Sequence, residues 1–95
     1  MMTDIEVKSA EVAGLLKTMG HPKRLLILCA LMSEEKTVTE LEKSCGAGQS
    51  QVSQFVKRMQ MEGLIDSRKE ANFVYYSIRD EKVKNLMDGI AKIFC

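Results

Sequence analysis

The sequence predicts a mainly helical fold with one small β-hairpin, and three observations lead to this prediction. Apolar residues recur at helical spacing in most of the chain. Phe73-Val74-Tyr75-Tyr76-Ser77-Ile78 is instead rich in β-branched and aromatic residues, which is typical of a strand. A glycine turn at residues 46–48 separates two short helical segments just before that strand. The expected order is α-α-α-α-β-β-α, which is that of a winged helix-turn-helix.

The first two predicted helices meet at a Gly-His-Pro corner. The first runs from Ile5 to Met19, and Gly20 ends it. His21 is interpreted as a helix-entry residue, and Pro22 suits the first helical position because its missing N–H is no loss there. The run from Leu25 to Met32 is apolar on every side, so we expect a central helix that is buried all round.

The next two helices form the predicted helix-turn-helix. Thr37 and Glu40 have the spacing of a capping box, so a helix should start near Thr39. It should end at Gly46, which can supply the positive φ of a C-terminal cap. A second helix is predicted from about Gln49 to Glu62, because one face carries apolar residues at helical spacing: Val52, Phe55, Val56 and Met59.

The hairpin and a last helix complete the chain. The first strand is predicted at Leu64–Arg68, the tip at Lys69–Asn72 and the second strand at Phe73–Ile78. Asp80 is a plausible N-cap for a helix that ends at Cys95. Its apolar residues fall at steps of three and four: Val83, Leu86, Met87, Ile90, Ile93 and Phe94.

Length and charge limit the possible classes of protein. The chain of 95 residues is expected to form one domain, 1–95, whose core is marginal in size. A homodimer that pairs the first and last helices would bury their apolar faces. The net charge of +1 indicates neither a basic tail nor an acidic segment. The acidic N-terminus shows no signal peptide or membrane span, so we expect a cytoplasmic protein without a membrane partner.

Polar side chains on the second helix of the pair suit the recognition of double-stranded DNA. Amide and hydroxyl groups in its first exposed turn can bond base edges in a major groove, and basic residues there and on the wing can bind phosphate. From Lys57 to Arg79 basic residues exceed acidic ones by two. The predicted DNA-binding residues are Gln49, Ser50, Gln51, Ser53, Gln54, Lys57, Arg58, Arg68, Lys69 and Asn72. A solvated helix face in a protein-interaction module is the alternative.

Three motifs together resemble the ArsR/SmtB family of winged-helix repressors over nearly the whole chain. They are Gly20-His21-Pro22 with Arg24, Ile27 and Leu28; Ser50-Gln51-Val52-Ser53; and Gly63-Leu64-Ile65 with Arg68-Lys69. The resemblance implies a homodimer that represses by occupying an operator and leaves it when an inducer binds. The sequence departs from the family pattern at Gly48, where serine is common, at Phe55, where histidine is frequent, and at the additional Cys45.

The usual metal ligands of the family are missing. Many members use a Cys-x-Cys motif at the start of the third helix, or Asp and His on the last helix. Here Thr37-Val38-Thr39 stands at the first place, and no histidine follows His21. We therefore expect no metal site and no cofactor.

What remains resembles the sulfide- and redox-sensing branch, the BigR-, SqrR- and HlyU-like regulators. In that branch a cysteine of the second helix pairs with one at the end of the last helix, which implies Cys29 and Cys95 here. Spacing alone does not show that the two meet, and by themselves they read as a buried inert thiol and a terminal residue without a role. The resemblance implies a persulfide or another oxidant as the inducer, and a disulfide or a longer sulfur bridge as the product.

Two other functions use the same residues. A thiophilic-metal-sensing repressor would bind its ion through these cysteines, but two thiolates without a nearby histidine make a poor tetrahedral site. A thiol enzyme with Cys29 as nucleophile would need a second histidine, a phosphate loop or an acid/base pair, and the sequence shows none. We therefore do not expect an enzyme.

Overall fold

A computed structural model describes residues 4–95 as helices with one antiparallel hairpin. The elements are α1 (Asp4–Val7), α2 (Ser9–Met19), α3 (Pro22–Ser33), α4 (Val38–Cys45), α5 (Gln49–Met61), β1 (Ile65–Glu70), β2 (Phe73–Ile78) and α6 (Glu81–Phe94). The predicted winged helix-turn-helix is confirmed. The first predicted helix is divided at Lys8, although the Lys8 N–H still bonds to the Asp4 carbonyl at 2.9 Å.

The α2–α3 corner is closed by polar contacts of its own residues. His21 is the N-cap of α3, and its Nδ1 accepts a hydrogen bond from the Lys23 N–H at 3.1 Å. Pro22 follows at the first helical position, as predicted. Arg24 Nη1 donates to the Thr18 carbonyl at 3.0 Å and so satisfies one acceptor at the end of α2.

The predicted capping box is present at the start of α4. Thr37 Oγ1 accepts from the Glu40 N–H at 3.3 Å, and Glu40 Oε1 accepts from the Thr37 N–H at 3.0 Å. The helix begins at Val38, one residue before the predicted start. It ends at Gly46, which has a φ of 67°. Gly48 then precedes α5 as its N-cap.

The wing is longer than predicted because β1 continues through Glu70 to a tight turn. Glu70 pairs with Phe73 and Lys69 with Val74, so the turn consists of Ala71 and Asn72 alone. The predicted tip of four residues was therefore wrong. A short tip lets the β-branched and aromatic residues of β2 keep cross-strand neighbours along their full length.

A third segment pairs with β2 along the edge that β1 does not occupy. Lys36, in the connection between α3 and α4, forms an isolated antiparallel bridge with Tyr76. The Lys36 N–H donates to the Tyr76 carbonyl at 3.0 Å, and the Tyr76 N–H donates back at 2.8 Å. No local pattern predicts this bridge, which fixes the wing to the connection after α3.

The core lies between α3, the helix-turn-helix and α6. Its fully buried side chains include Ile27, Leu28, Leu41, Val52, Val56, Met59, Ile65 and Val83. The expectation that α3 is buried all round was wrong: Leu26 is 46% exposed, and Cys29 is exposed as well. The other elements cover only one side of α3, through Ile27, Leu28 and Leu31. The Leu26–Cys29 side is left uncovered in the single chain.

The first and last helices also carry apolar side chains that this chain does not cover. Ile5, Val7 and Leu16 are exposed at one end of the sequence, and Ile93 and Phe94 at the other. Phe94 is 81% exposed. Between residues 4 and 95, no helix has the combined length and apolar character that crossing a bilayer requires.

Candidate nucleic-acid interface and exposed thiols

Helix α5 separates a buried apolar face from an exposed polar one. Val52, Val56 and Met59 fix it to the core, which leaves the opposite side to solvent. The polar residues predicted to read bases share that outer side near its N-terminus: Gln49, Ser50, Gln51 and Gln54 are exposed and Ser53 is half-buried. Gly48 has no side chain with which to cap the helix, so the first amides of α5 can donate to a DNA phosphate.

The predicted phosphate ligands differ in how far their charge is already neutralised. Lys57 and Lys69 are exposed, and no ion pair involves them in the described part of the chain. Arg58 Nε instead donates to Glu62 Oε1 at 2.7 Å. Asn72 is exposed in the turn of the wing. The two lysines therefore have the less compensated charges.

Arg68 is held in place by a set of contacts on one face of the wing. Its Nε donates to Glu35 Oε2 at 2.8 Å, and Nη2 bonds the second oxygen of the same carboxylate. Glu70 lies 3.4 Å from Nη1, and the guanidinium lies 4.8 Å from the centre of the Tyr75 ring. The hydrogen bond with Glu35 raises the pKa of Arg68 and, from the other side, lowers the pKa of Glu35. Arg68 thus braces the wing against the end of α3.

Helix α3, together with the connection that follows it, contacts both parts of the fold that are predicted to face DNA. Near its start, Lys23 Nζ donates to the carbonyls of Cys45 at 3.3 Å and Gly46 at 3.2 Å, in the turn of the helix-turn-helix. Beyond its end, Glu35 and Lys36 hold the wing. A shift of α3 would therefore reach the turn and the wing together.

The three cysteines are free thiols in different surroundings. Cys29 on α3 and Cys95 after α6 are exposed, whereas Cys45 is buried at the end of α4. The Cys95 N–H bonds to the Ala91 carbonyl at 2.9 Å, so the backbone there continues the helix. Helices α3 and α6 pack against each other through the core. The reading of Cys29 as a buried inert thiol is therefore wrong, and burial of Cys45 fits its interpretation as a packing residue.

No metal centre is apparent in the described residues. From residue 4 onward, no group of three or more His, Cys, Asp or Glu side chains converges in a way that could hold an ion. The single histidine already uses Nδ1 to cap α3.

A cavity of about 790 Å³ lies where α2, α3, α5 and α6 approach one another. Glu62 at its wall accepts hydrogen bonds from Thr18 on one oxygen and Arg58 on the other. These bonds, that of Thr18 most strongly, lower the pKa of Glu62. At the rim, Lys82 and Glu11 form an ion pair of 2.6 Å between α6 and α2. Sequence reasoning missed this cluster, because its partners are distant in the chain and carry no local motif.

Comparison with known proteins places this architecture in a family. Residues 21–67 match the model of the bacterial regulatory protein, arsR family. The regulator YgaV of Escherichia coli K12 is 39% identical over 95 residues, which cover 99% of this chain and 96% of YgaV. The crystal structure of the repressor BigR from Xylella fastidiosa is 36% identical and superimposes with a TM-score of 0.92 over 99% of this chain and 98% of that one.

A third similar protein is HlyU of Vibrio cholerae. Its structure in the reduced form is 34% identical, with a TM-score of 0.90 over 99% of both chains. These likenesses extend over the helix-turn-helix, the wing and the flanking helices. The chain therefore belongs to the arsR family of bacterial regulatory proteins and is a winged helix-turn-helix transcriptional regulator, not an enzyme.

Proposed function

We propose that this chain is a dithiol-based repressor whose reduced homodimer binds operator DNA and is released when Cys29 and Cys95 become linked. The observation that carries the proposal is that both thiols are exposed and lie on, or directly after, two helices that pack against each other. The similar BigR is named a repressor, and HlyU has been solved in a form named reduced. In a cytoplasm that keeps thiols reduced, the DNA-binding form would be the resting one.

DNA recognition is assigned to the outer face of α5 and to the wing. The polar side chains of the first turns of α5 would bond base edges, because a helix that projects such groups fits a major groove. Lys57 and Lys69 would bind phosphates, since their charges are free of ion pairs in the described residues. Arg58 and Arg68 would approach the backbone from positions that other contacts already fix, and Asn72 would approach it from the exposed turn of the wing.

The dimer is assigned to the terminal helices. Ile5, Val7 and Leu16 in α1 and α2, and Ile93 and Phe94 in α6, expose large apolar side chains at both ends of the chain. A two-fold partner would bury these faces against their own copies. Leu26, on the uncovered side of α3, offers further apolar area.

The proposed chemistry links two thiols at the expense of an external oxidant. A low-molecular-weight persulfide RSSH transfers its outer sulfur to the Cys29 thiolate, which gives a Cys29 persulfide and RSH. The Cys95 thiolate then attacks the inner sulfur, and a Cys29–Cys95 disulfide forms while H₂S leaves. A peroxide would reach the same disulfide through a sulfenic acid and release two molecules of water.

The link can weaken DNA binding only if the linked conformation fits the operator less well. A bond between Cys29 and Cys95 would tie α3 to the end of α6. Lys23 of α3 holds the turn of the helix-turn-helix, and Glu35, in the connection that directly follows α3, holds the wing. A displacement of α3 would therefore disturb both proposed DNA contacts. The proposed sensor and the DNA-reading parts are thus joined by direct contacts of α3 and of the connection that follows it.

Intact-mass measurement and operator release, followed in parallel, test this function. Reduced protein on fluorescent operator DNA is treated with a persulfide, a peroxide or a disulfide reagent. We expect release together with a loss of two hydrogens, or with added sulfur if a longer bridge forms. Cys29→Ser and Cys95→Ser should stay on the DNA, whereas the matched control Cys45→Ser should still be released.

Operator release that persists in both Cys29→Ser and Cys95→Ser would reject the dithiol mechanism. Zinc or cadmium added to the reduced protein separates the metal-sensing alternative. Release at equimolar metal, reversed by a chelator and without a mass change, would assign the regulator to that class.

A further inference from the structure

Helix α5 is held against the α2–α3 corner at two places. At the first, Phe55 packs against the ring of His21 with a centroid distance of 4.9 Å, and Arg24 lies 5.5 Å from the Phe55 ring centre. At the second, Glu62, which ends α5, accepts a hydrogen bond of 2.5 Å from Thr18. Seven residues separate the two places, which is about two turns and roughly 10 Å of helix. Two anchors this far apart fix the direction of α5 as well as its position.

Thr18 is exceptional for a residue in a packed position. Within residues 4–95 it is the one polar side chain that counts as buried, with 8% exposure. Its hydroxyl has one proton and two acceptors in reach, the Gly14 carbonyl at 3.2 Å and Glu62 Oε2 at 2.5 Å. A bond to the carbonyl four residues earlier is the ordinary choice in a helix, but bonds to a carboxylate are shorter and stronger. The buried Thr18 hydroxyl therefore donates its proton to Glu62 and so connects α2 to the end of α5.

Glu62 is bonded to both helices at once. While one oxygen accepts from Thr18 on α2, the other accepts from Arg58 Nε at 2.7 Å, one turn earlier on α5. A carboxylate held at both oxygens cannot rotate without breaking a charge-assisted bond. Because this bond uses Nε, the terminal amino groups of Arg58 keep the capacity to donate to a phosphate.

We propose that Thr18 and Glu62 form a clamp that sets the angle at which α5 enters the major groove, with Phe55 as the pivot. The base-reading residues at 49–54 lie on the opposite side of Phe55 from Glu62, so a movement of the clamped end displaces them in the other direction. In a two-fold dimer the recognition helices must reach half-sites about 34–36 Å apart. The clamp residues are thus positioning residues that select half-site spacing without touching DNA.

This inference rests on the proposed DNA-binding dimer and not on its thiols, so the test uses reduced protein throughout. The operator is first selected from a random duplex library with the unmodified protein. Binding is then measured by fluorescence anisotropy at one salt concentration, with the selected duplex and with duplexes that gain or lose one base pair between the half-sites. For Thr18→Val we expect about 10-fold weaker binding at the selected spacing, equivalent to about 1.4 kcal/mol.

The preference of Thr18→Val for the selected spacing over the altered ones should fall by a similar factor. Binding to unrelated DNA should stay unchanged, because phosphate contacts supply it. Glu62→Gln, which loses the ion pair with Arg58, should show the same loss of preference. Thr18→Ser keeps the hydroxyl and should therefore keep the preference for the selected spacing. Glu11→Gln is the matched control, since it breaks an α2–α6 ion pair at the rim of the same cavity without reaching α5.

A clamp that only stabilises the fold would give a different pattern. Thr18→Val and Glu62→Gln would then lower the melting temperature but keep the full spacing preference, and this result overturns the proposal. If Thr18→Val fails to dimerise, Glu62→Gln alone decides: a retained spacing preference in that variant overturns the proposal, and a lost preference supports it. An unmodified protein that selects no paired half-sites would overturn the proposed dimeric reader and the clamp together.

Discussion

Ala71 adopts a φ of 52° at the tip of the wing, in the left-handed region that residues other than Gly, Asn and Asp rarely occupy. Strain of this kind costs about 1–2 kcal/mol, whereas glycine adds about 0.5–1 kcal/mol of backbone entropy. Ala71→Gly should therefore stabilise the protein by roughly 0.5 kcal/mol, the difference between those two effects. Urea unfolding of the two proteins measures the change.

The same substitution in a helix is the control for Ala71→Gly. Ala13 is exposed in α2, so Ala13→Gly should destabilise the protein by about 1 kcal/mol. Opposite signs at the two positions would show that backbone conformation decides the effect. If both substitutions destabilised the protein, the positive φ of Ala71 would carry no strain.

Residues whose partners are close in sequence were predictable, and residues whose partners are distant were not. Thr37 bonds to Glu40, and Asp80 accepts from the Lys82 N–H at 2.8 Å, so the motif and the contact coincide. Thr18 instead meets Glu62, 44 residues later. That contact depends on how the α2–α3 corner folds onto α5, and no local pattern encodes it.

The wing shows that whole elements, too, are predictable from local pattern but not where they depend on distant contacts. A segment rich in β-branched and aromatic residues predicted β2 with correct bounds, because such residues favour strands. The length of β1 and the bridge from Lys36 to Tyr76 depend on cross-strand contacts and were missed. The bridge attaches the wing to the connection that follows α3, the helix that carries Cys29.

The wing also separates two kinds of basic residue, which salt titration can distinguish. Each phosphate contact contributes about 0.9 to the slope of log K against log salt concentration on duplex DNA. Lys69 takes part in no ion pair of the described chain, so Lys69→Ala should lower the slope by about 1. Because Arg68 is bonded to Glu35, Arg68→Ala should change the slope less and the melting temperature more. Equal slopes for both variants would contradict this division.

In the whole molecule, several carboxylates favour the folded state only while they are ionised. Hydrogen bonds from Lys82, Arg68 and Thr18 lower the pKa of Glu11, Glu35 and Glu62, respectively, below the ordinary value of 4.5. Their contribution to stability is thus complete above pH 4.5 and is lost as the pH falls through the lowered pKa values. The melting temperature should fall in this range, and less steeply in Glu35→Gln. An identical pH profile in that variant would contradict the assignment.

In the single chain, apolar side chains on the uncovered side of α3 and on the terminal helices contact water, which is energetically unfavourable. The apolar run from Leu25 to Met32 predicted a helix buried all round, and a partner that covers Leu26 would account for that pattern. An apolar pattern in a sequence does not distinguish residues that are buried within one chain from residues that are buried between two chains. For this reason the sequence predicted the core residues of α3 but not its exposed side.

Two phenylalanines test which exposed apolar surface forms the dimer. Phe94 on α6 is 81% exposed and Phe73 on the wing 58%, so exposure alone does not distinguish them. Phe94→Asp would place a charge in the proposed interface and should weaken dimerisation by at least about 30-fold, the effect of losing roughly 2 kcal/mol at an interface hot spot. Phe73→Asp should leave the dimer intact. Sedimentation equilibrium measures both, and a monomeric Phe73→Asp beside a dimeric Phe94→Asp would assign the two-fold contact to the wing.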